Sequence, residues 1–228
     1  MTASQKRFTL TDWAAAAGIA GMAGLAFAVW QWGKAGPLPV HFNFQGVVDR
    51  YGDRRELALG IAAMAAGSVA LWMGLALLAR TDAAQGWKDS LRLGRGLVVL
   101  AMGFMSLILA GIALGWAGGG LGPQRWTLGL VGLLFTVIGA VIGKVRPNPI
   151  AGVRTYWSLT SRLAWDKSNR LAGRLFALIG IVAVLASPFA PMPLAMMALV
   201  GAVLVAAAWA VLESFLVWRT DPDRKAKA

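Results

Sequence analysis

The sequence predicts an all-α polytopic membrane protein of six transmembrane helices with both termini in the cytoplasm. Three observations predict it. Of 228 residues, 58% are hydrophobic and only 14% are charged, with a mean hydropathy of +0.64. A soluble domain carries about 25% charged residues. Six apolar stretches are each long enough to cross the hydrocarbon, which takes about 20 residues of helix. The 22 basic residues are also distributed unevenly between the connections.

The spans fall at Trp13–Trp32, Leu57–Leu78, Leu97–Trp116, Trp126–Gly143, Leu171–Ala190 and Leu194–Val217. The first four are free of charge. The fifth carries Arg174 near its start, where a long side chain can snorkel to the interface. The sixth carries Glu213 near its end. Pro188, Pro191 and Pro193 break the chain between the last two spans. Ala26-Phe27-Ala28 has the look of a signal cleavage site, but the apolar run before it is long for a signal peptide, so the first stretch is read as a span.

Six spans put both termini on one side. With Lys6 and Arg7 on that side, only Lys34, Arg50, Arg54, Arg55 and Arg125 fall on the other. The positive-inside rule then places both termini in the cytoplasm. The net charge of +12 is accounted for by topology, and nucleic acid is not an expected partner. The bilayer is. Trp13, Trp30, Trp32, Trp116, Trp126 and Trp218 lie near span ends, where amphipathic rings favour the interface. Two glycine pairs, Gly111 with Gly115 and Gly139 with Gly143, permit close helix approach, within the bundle or in a homo-oligomer.

The absence of cysteine excludes disulfides, thiol nucleophiles and thiolate metal sites, and His41 is the single histidine. There is no phosphate-binding glycine loop and no catalytic triad. We therefore expect no enzyme, no cofactor and no metal. Glu213 is the intramembrane candidate, read either as a functional carboxylate or as an anchor reaching the basic interface.

Two loops hold the remaining chemistry. The outer loop, 33–56, brings Pro39, His41, Asn43, Gly46 and Asp49 among Phe42, Phe44 and Tyr51. A local polar network of His41, Asn43 and Asp49 would make it a structured cap or a recognition surface. The cytoplasmic loop, 144–174, holds Lys144, Pro147, Asn148, Gly152, Arg154, Thr155, Trp157, Trp165, Asn169, Arg170 and Gly173. Its prolines bar a helix after Lys144. Ser158 is expected to cap an amphipathic interfacial helix that runs into span five. Asn, Thr and Trp add little to plain headgroup attraction, so the loop is expected to have a specific fold.

The run Lys144-x-Arg-Pro-Asn-Pro-x-x-Gly-x-Arg-Thr-x-Trp-Ser-Leu, followed by Trp165-x-x-x-Asn-Arg-x-x-Gly, resembles the signature of the SdpI family of bacterial membrane immunity proteins. Pro39-x-His-Phe-Asn-x-x-Gly-x-x-Asp resembles the first-loop motif of an uncharacterised membrane domain that often precedes that signature. The resemblance divides the chain into an N-terminal membrane region, 1–96, and an SdpI-like region, 97–228. It implies a multi-pass protein of the bacterial inner (plasma) membrane, and the expected role is immunity or envelope-stress defence by binding rather than catalysis. The implied partners are a secreted peptide toxin outside and a cytoplasmic transcriptional regulator inside. A transporter or exporter of a small amphipathic compound, or an assembly subunit of a membrane complex, are the alternative functions.

Overall fold

Thr9 opens the first helix because its side chain and that of Asp12 satisfy each other's backbone N–H groups, a capping box. The computed structural model describes residues 9–43, 47–81, 88–116, 122–148 and 151–224. Helix α1 runs Leu10–Trp32, and a two-stranded hairpin follows, β1 (Leu38–Phe42) and β2 (Val48–Gly52). Then come α2 (Arg54–Leu78), α3 (Lys88–Leu114), α4 (Gly122–Ile142), the short α5 (Tyr156–Thr160), α6 (Arg162–Ala186) and α7 (Leu194–Thr220). Six of these helices are long and apolar enough to cross a membrane, and they coincide with the six expected spans.

The helices pack as two trios. Helices α1, α2 and α3 contact one another, α6 packs against both α4 and α7, and α3 meets α4. The first trio closes around Met22, Val29, Ile61, Ile108 and Ala113. Its cytoplasm-proximal edge, by the expected topology, holds Arg95 between Asp12 at 3.7 Å and the face of Trp72 at 5.2 Å. Outward-facing Leu59, Leu77, Leu178, Leu185, Leu204 and Val205 remain exposed. Such faces suit lipid, which is as apolar as the side chains themselves.

Glycines set the spacing of the second trio. A methyl group built on Gly139 would strike the backbone of α6 at Gly173 and Ala177, and one on Gly132 would strike Gly180 and Ala183. Helices α4 and α6 therefore touch backbone to backbone over several turns, as small-residue membrane contacts do. Gly111 faces the Trp126 ring of α4, and Gly115 (φ +81°) ends α3 beside Lys34. Both glycine pairs are thus used within the chain.

The start of the fifth span differs from expectation. Ser158 does not cap a long helix. Thr155 caps α5 with Ser158 as its capping-box partner, and Ser161 caps α6, accepting from Ala164 N at 2.9 Å. Helix α6 begins nine residues before the apolar stretch because its first turns are held by polar contacts rather than by hydropathy.

Candidate functional site

The loop between α1 and α2, expected on the outer side, is a hairpin pinned at both ends. At its tip, Asn43 N donates to the Val47 carbonyl at 2.8 Å, and Val47 N donates to Asn43 Oδ1 at 2.9 Å. His41 Nδ1 and Asp49 Oδ1 lie 2.6 Å apart across the strands. Pro39 sits opposite Tyr51. At the base, Leu38 is buried in the first trio and Lys34 N donates to the Ala113 carbonyl at 2.8 Å. Arg50 pairs with Glu56. Asp53 caps α2, accepting from Glu56 N at 2.8 Å. The expected network is present as His41–Asp49, while Asn43 serves its own turn. Gly46 lies outside the described residues.

This hairpin faces the other trio. His41, Phe42 and Asn43 form one wall of a groove of about 610 Å³, with Gln124 and Thr127 of α4 beside them. Met192, Met196 and Met197 line the opposite side, and the groove runs along α7 to Gly201 and Leu204. Methionine side chains are flexible and polarizable, so such a wall adapts to apolar ligands of differing shape.

The loop between α4 and α6, expected on the cytoplasmic side, is built from interlocking hydrogen bonds. Asn148 closes an Asx-type turn, with Nδ2 donating to the carbonyls of Arg146 (2.8 Å) and Ala151 (3.1 Å) and Oδ1 accepting from Ala151 N (2.9 Å). Two fully buried side chains on the first turns of α6 then clamp the loop. Trp165 Nε1 donates to the Val145 carbonyl at 2.7 Å. Asn169 Oδ1 accepts from Val153 N at 2.7 Å, and its Nδ2 donates to the Trp165 carbonyl at 2.9 Å. Gly152 passes over these two residues at φ +121°, where any Cβ would meet Asn169 Oδ1 and the Trp165 ring.

From there the chain is fastened to α7. Thr155 Oγ1 meets Ser214 Oγ at 2.8 Å, and Ser161 bonds Asp221. Trp157 packs on Phe215 with ring centroids 4.9 Å apart, and Tyr156 meets Trp218 edge-on at 6.1 Å. Thus Asn148, Gly152, Thr155, Trp157, Trp165, Asn169 and Gly173 shape the loop and its helix contacts.

The charged members of the motif do something else. Lys144 and Pro147 on the loop, and Arg170 on α6, line a cavity of about 550 Å³ between the end of α4 and the start of α6. Arg146, Arg162, Asp166 and Arg174 complete its polar rim. The floor is Gly139, Ala140, Gly173 and Ala177. Arg146, Arg162, Asp166 and Arg174 were not among the expected site residues. For the three on α6 the signal was the spacing of Arg162, Asp166, Arg170 and Arg174, one helical face at four-residue steps, whereas Arg146 on the loop had none. Arg154 lies outside this cavity, exposed and without a hydrogen bond or ion pair to a described residue.

Glu213 is half-buried on α7 and lines a smaller recess of about 370 Å³ with Lys167, Arg170, Arg174 and Trp209. Arg170 and Arg174 therefore border both recesses. Among the described residues no three of His, Asp and Glu come together as a metal set.

No match was found among curated proteins or among solved structures. Residues 144–214 match the model of the SdpI/YfhL protein family, a stretch that takes in the pinned loop, α5, α6 and most of α7. The chain is therefore similar to that family over about a third of its length, in the membrane region built around α6 and α7.

Proposed function

We propose that this protein is a bacterial inner-membrane immunity and signalling protein, with both termini cytoplasmic, that counters a membrane-active peptide by binding it at the outer groove. The observation that carries this reading is the groove itself. It joins the outer motif residues His41 and Asn43 to the Met192, Met196 and Met197 wall of the SdpI-family region. A polar hairpin tip beside an adaptable apolar wall matches an amphipathic peptide lying at the membrane surface. Similarity to the SdpI/YfhL family over residues 144–214 supports the immunity class, and the charge asymmetry of the loops supports the orientation.

On this reading Arg154, exposed on the opposite side of the membrane, meets a cytoplasmic regulator. The protein binds and relays and carries out no catalysis. Occupancy outside and affinity inside must then be linked reciprocally.

The test blocks the groove without disturbing the fold. Gly201 lines it, and a Cβ there meets nothing within 4 Å, so Gly201→Leu fills the groove. Wild type, Gly201→Leu and Arg154→Ala are expressed at matched membrane levels in a bacterium sensitive to the family's peptide toxin. Viability and membrane potential are then followed under challenge. Wild type preserves both, Gly201→Leu preserves neither, and Arg154→Ala loses the signalling output. Equal survival of wild-type and empty-vector cells rejects the peptide reading.

The Glu213 recess favours one second reading, transport of a small amphipathic compound. That reading requires flux in proteoliposomes that falls in Glu213→Gln.

A further inference from the structure

The cavity between α4 and α6 carries five cationic side chains, Lys144, Arg146, Arg162, Arg170 and Arg174, against one carboxylate, Asp166. None of the five forms an ion pair with a described residue. Arg170 and Arg174 are four residues apart on one helix, an arrangement in which like charges repel. Asp166 in the cavity and Glu213 in the adjoining recess therefore offset only part of this concentration of positive charge.

Three features separate the cavity from a merely basic surface. It is concave, because the helices beneath it meet at glycine and leave no side chains to fill the space. Its two walls are held in register. The Trp165–Val145 and Asn148–Arg146 hydrogen bonds fix the loop that bears Lys144 and Arg146 opposite the arginines of α6. Its lining also changes along its length, from cationic at the rim to Gly139, Ala140 and Ala177 at the floor. Planar guanidinium groups match phosphate oxygens with paired hydrogen bonds.

We infer that this cavity is a binding site for a phosphate group, held chiefly by Arg170 and Arg174 with Lys144, Arg146 and Arg162 closing over it. The phosphate has two chemical sources, the headgroup of an anionic phospholipid and a soluble phosphate ester. The apolar floor fits the glycerol and first acyl carbons of the lipid, whereas a soluble ester would use the rim alone. The site is independent of the outer groove and of any peptide bound there.

The test is native mass spectrometry of the full-length protein in detergent, titrated with phosphatidylglycerol, phosphatidylcholine, or inorganic pyrophosphate. Proteins compared are wild type, Arg170→Gln/Arg174→Gln, and Arg80→Gln, whose exposed arginine lies outside the cavity. A charge-keeping pair, Arg170→Lys/Arg174→Lys, separates loss of charge from loss of the guanidinium fork. Wild type should bind phosphatidylglycerol in preference to phosphatidylcholine. The double glutamine variant should bind it about tenfold more weakly, the loss of one charge-assisted contact or more. Arg80→Gln should match wild type, and the lysine pair should fall between.

Phosphatidylglycerol binding that pyrophosphate does not displace assigns the lipid as the source. Pyrophosphate binding that is lost in the double glutamine variant, without selective lipid binding, assigns the soluble ester. Equal binding of both lipids together with no pyrophosphate binding, or an equal loss in Arg80→Gln, overturns the inference. Matched thermal melting of the variants keeps a folding defect from being read as a binding defect.

Discussion

Thr155 and Ser214, 59 residues apart, share a 2.8 Å hydrogen bond between their hydroxyls. Each hydroxyl has a single hydrogen. Either can donate within the pair, since Ser214 Oγ also lies 2.6 Å from the Val211 carbonyl and Thr155 Oγ1 3.3 Å from Ser158 Oγ. The bond ties the cap of α5 to the C-terminal half of the last span.

A double-mutant cycle on this pair should show coupling. Thr155→Ala also removes the α5 cap, a loss of about 1 kcal/mol by itself. Ser214→Ala costs less. The double variant should be more stable than the two single effects predict, by about 1 kcal/mol, as for one neutral hydrogen bond. Unfolding in mixed micelles measures it. Strict additivity would show that the hydroxyls do not interact.

Gly152→Ala should destabilise where Gly201→Ala does not. At φ +121° a side chain costs about 1–3 kcal/mol even in open space. Here the added methyl also meets Asn169 Oδ1 and the Trp165 ring. Comparison of melting temperatures in one detergent is sufficient, and equal temperatures would contradict the loop geometry.

Asn169→Ala should unlatch the loop. It leaves Val153 N–H without its partner in a site where Asn169 is fully buried, at a cost of about 1–3 kcal/mol. Limited proteolysis should then cut between residues 146 and 154 in the variant before it cuts wild type. Unchanged cleavage would show that the loop is held by other contacts.

Orientation can be read directly, because the chain has no cysteine of its own. Val47 is exposed near the hairpin tip and Arg154 is exposed on the loop. In intact spheroplasts, an impermeant maleimide should label Val47→Cys at once and Arg154→Cys only after permeabilisation. The reverse order would place the termini outside.

The six spans were legible because uncharged stretches of this length have few other uses. The hairpin was not. Its strands are five residues each, β1 contains Pro39, and its apolar alternation is too brief to register as a pattern. The single helix expected from Ser158 into the fifth span is instead two, because Thr155 caps α5 and Ser161 starts α6 with a cap of its own. Asn148, Trp165 and Asn169 were legible as a specific fold, since such side chains are wasted on headgroups. Their division from the cationic rim was not legible, because it depends on which carbonyls the loop presents to α6. Asp221 and Ser214, which anchor the loop from the far end of the chain, carry no local signal at all.

Helix α7 is a single rod of 27 residues, about 40 Å long at 1.5 Å per residue. Its Met-lined end borders the outer groove, and its far half carries Ser214. Such a rod behaves as a lever. A tilt of about 5° about its midpoint would move each end by roughly 2 Å, well beyond the range of about 0.5 Å over which a hydrogen bond holds. Displacement of the methionines by a few tenths of their own size would therefore be felt at the opposite leaflet as the making or breaking of one hydroxyl contact.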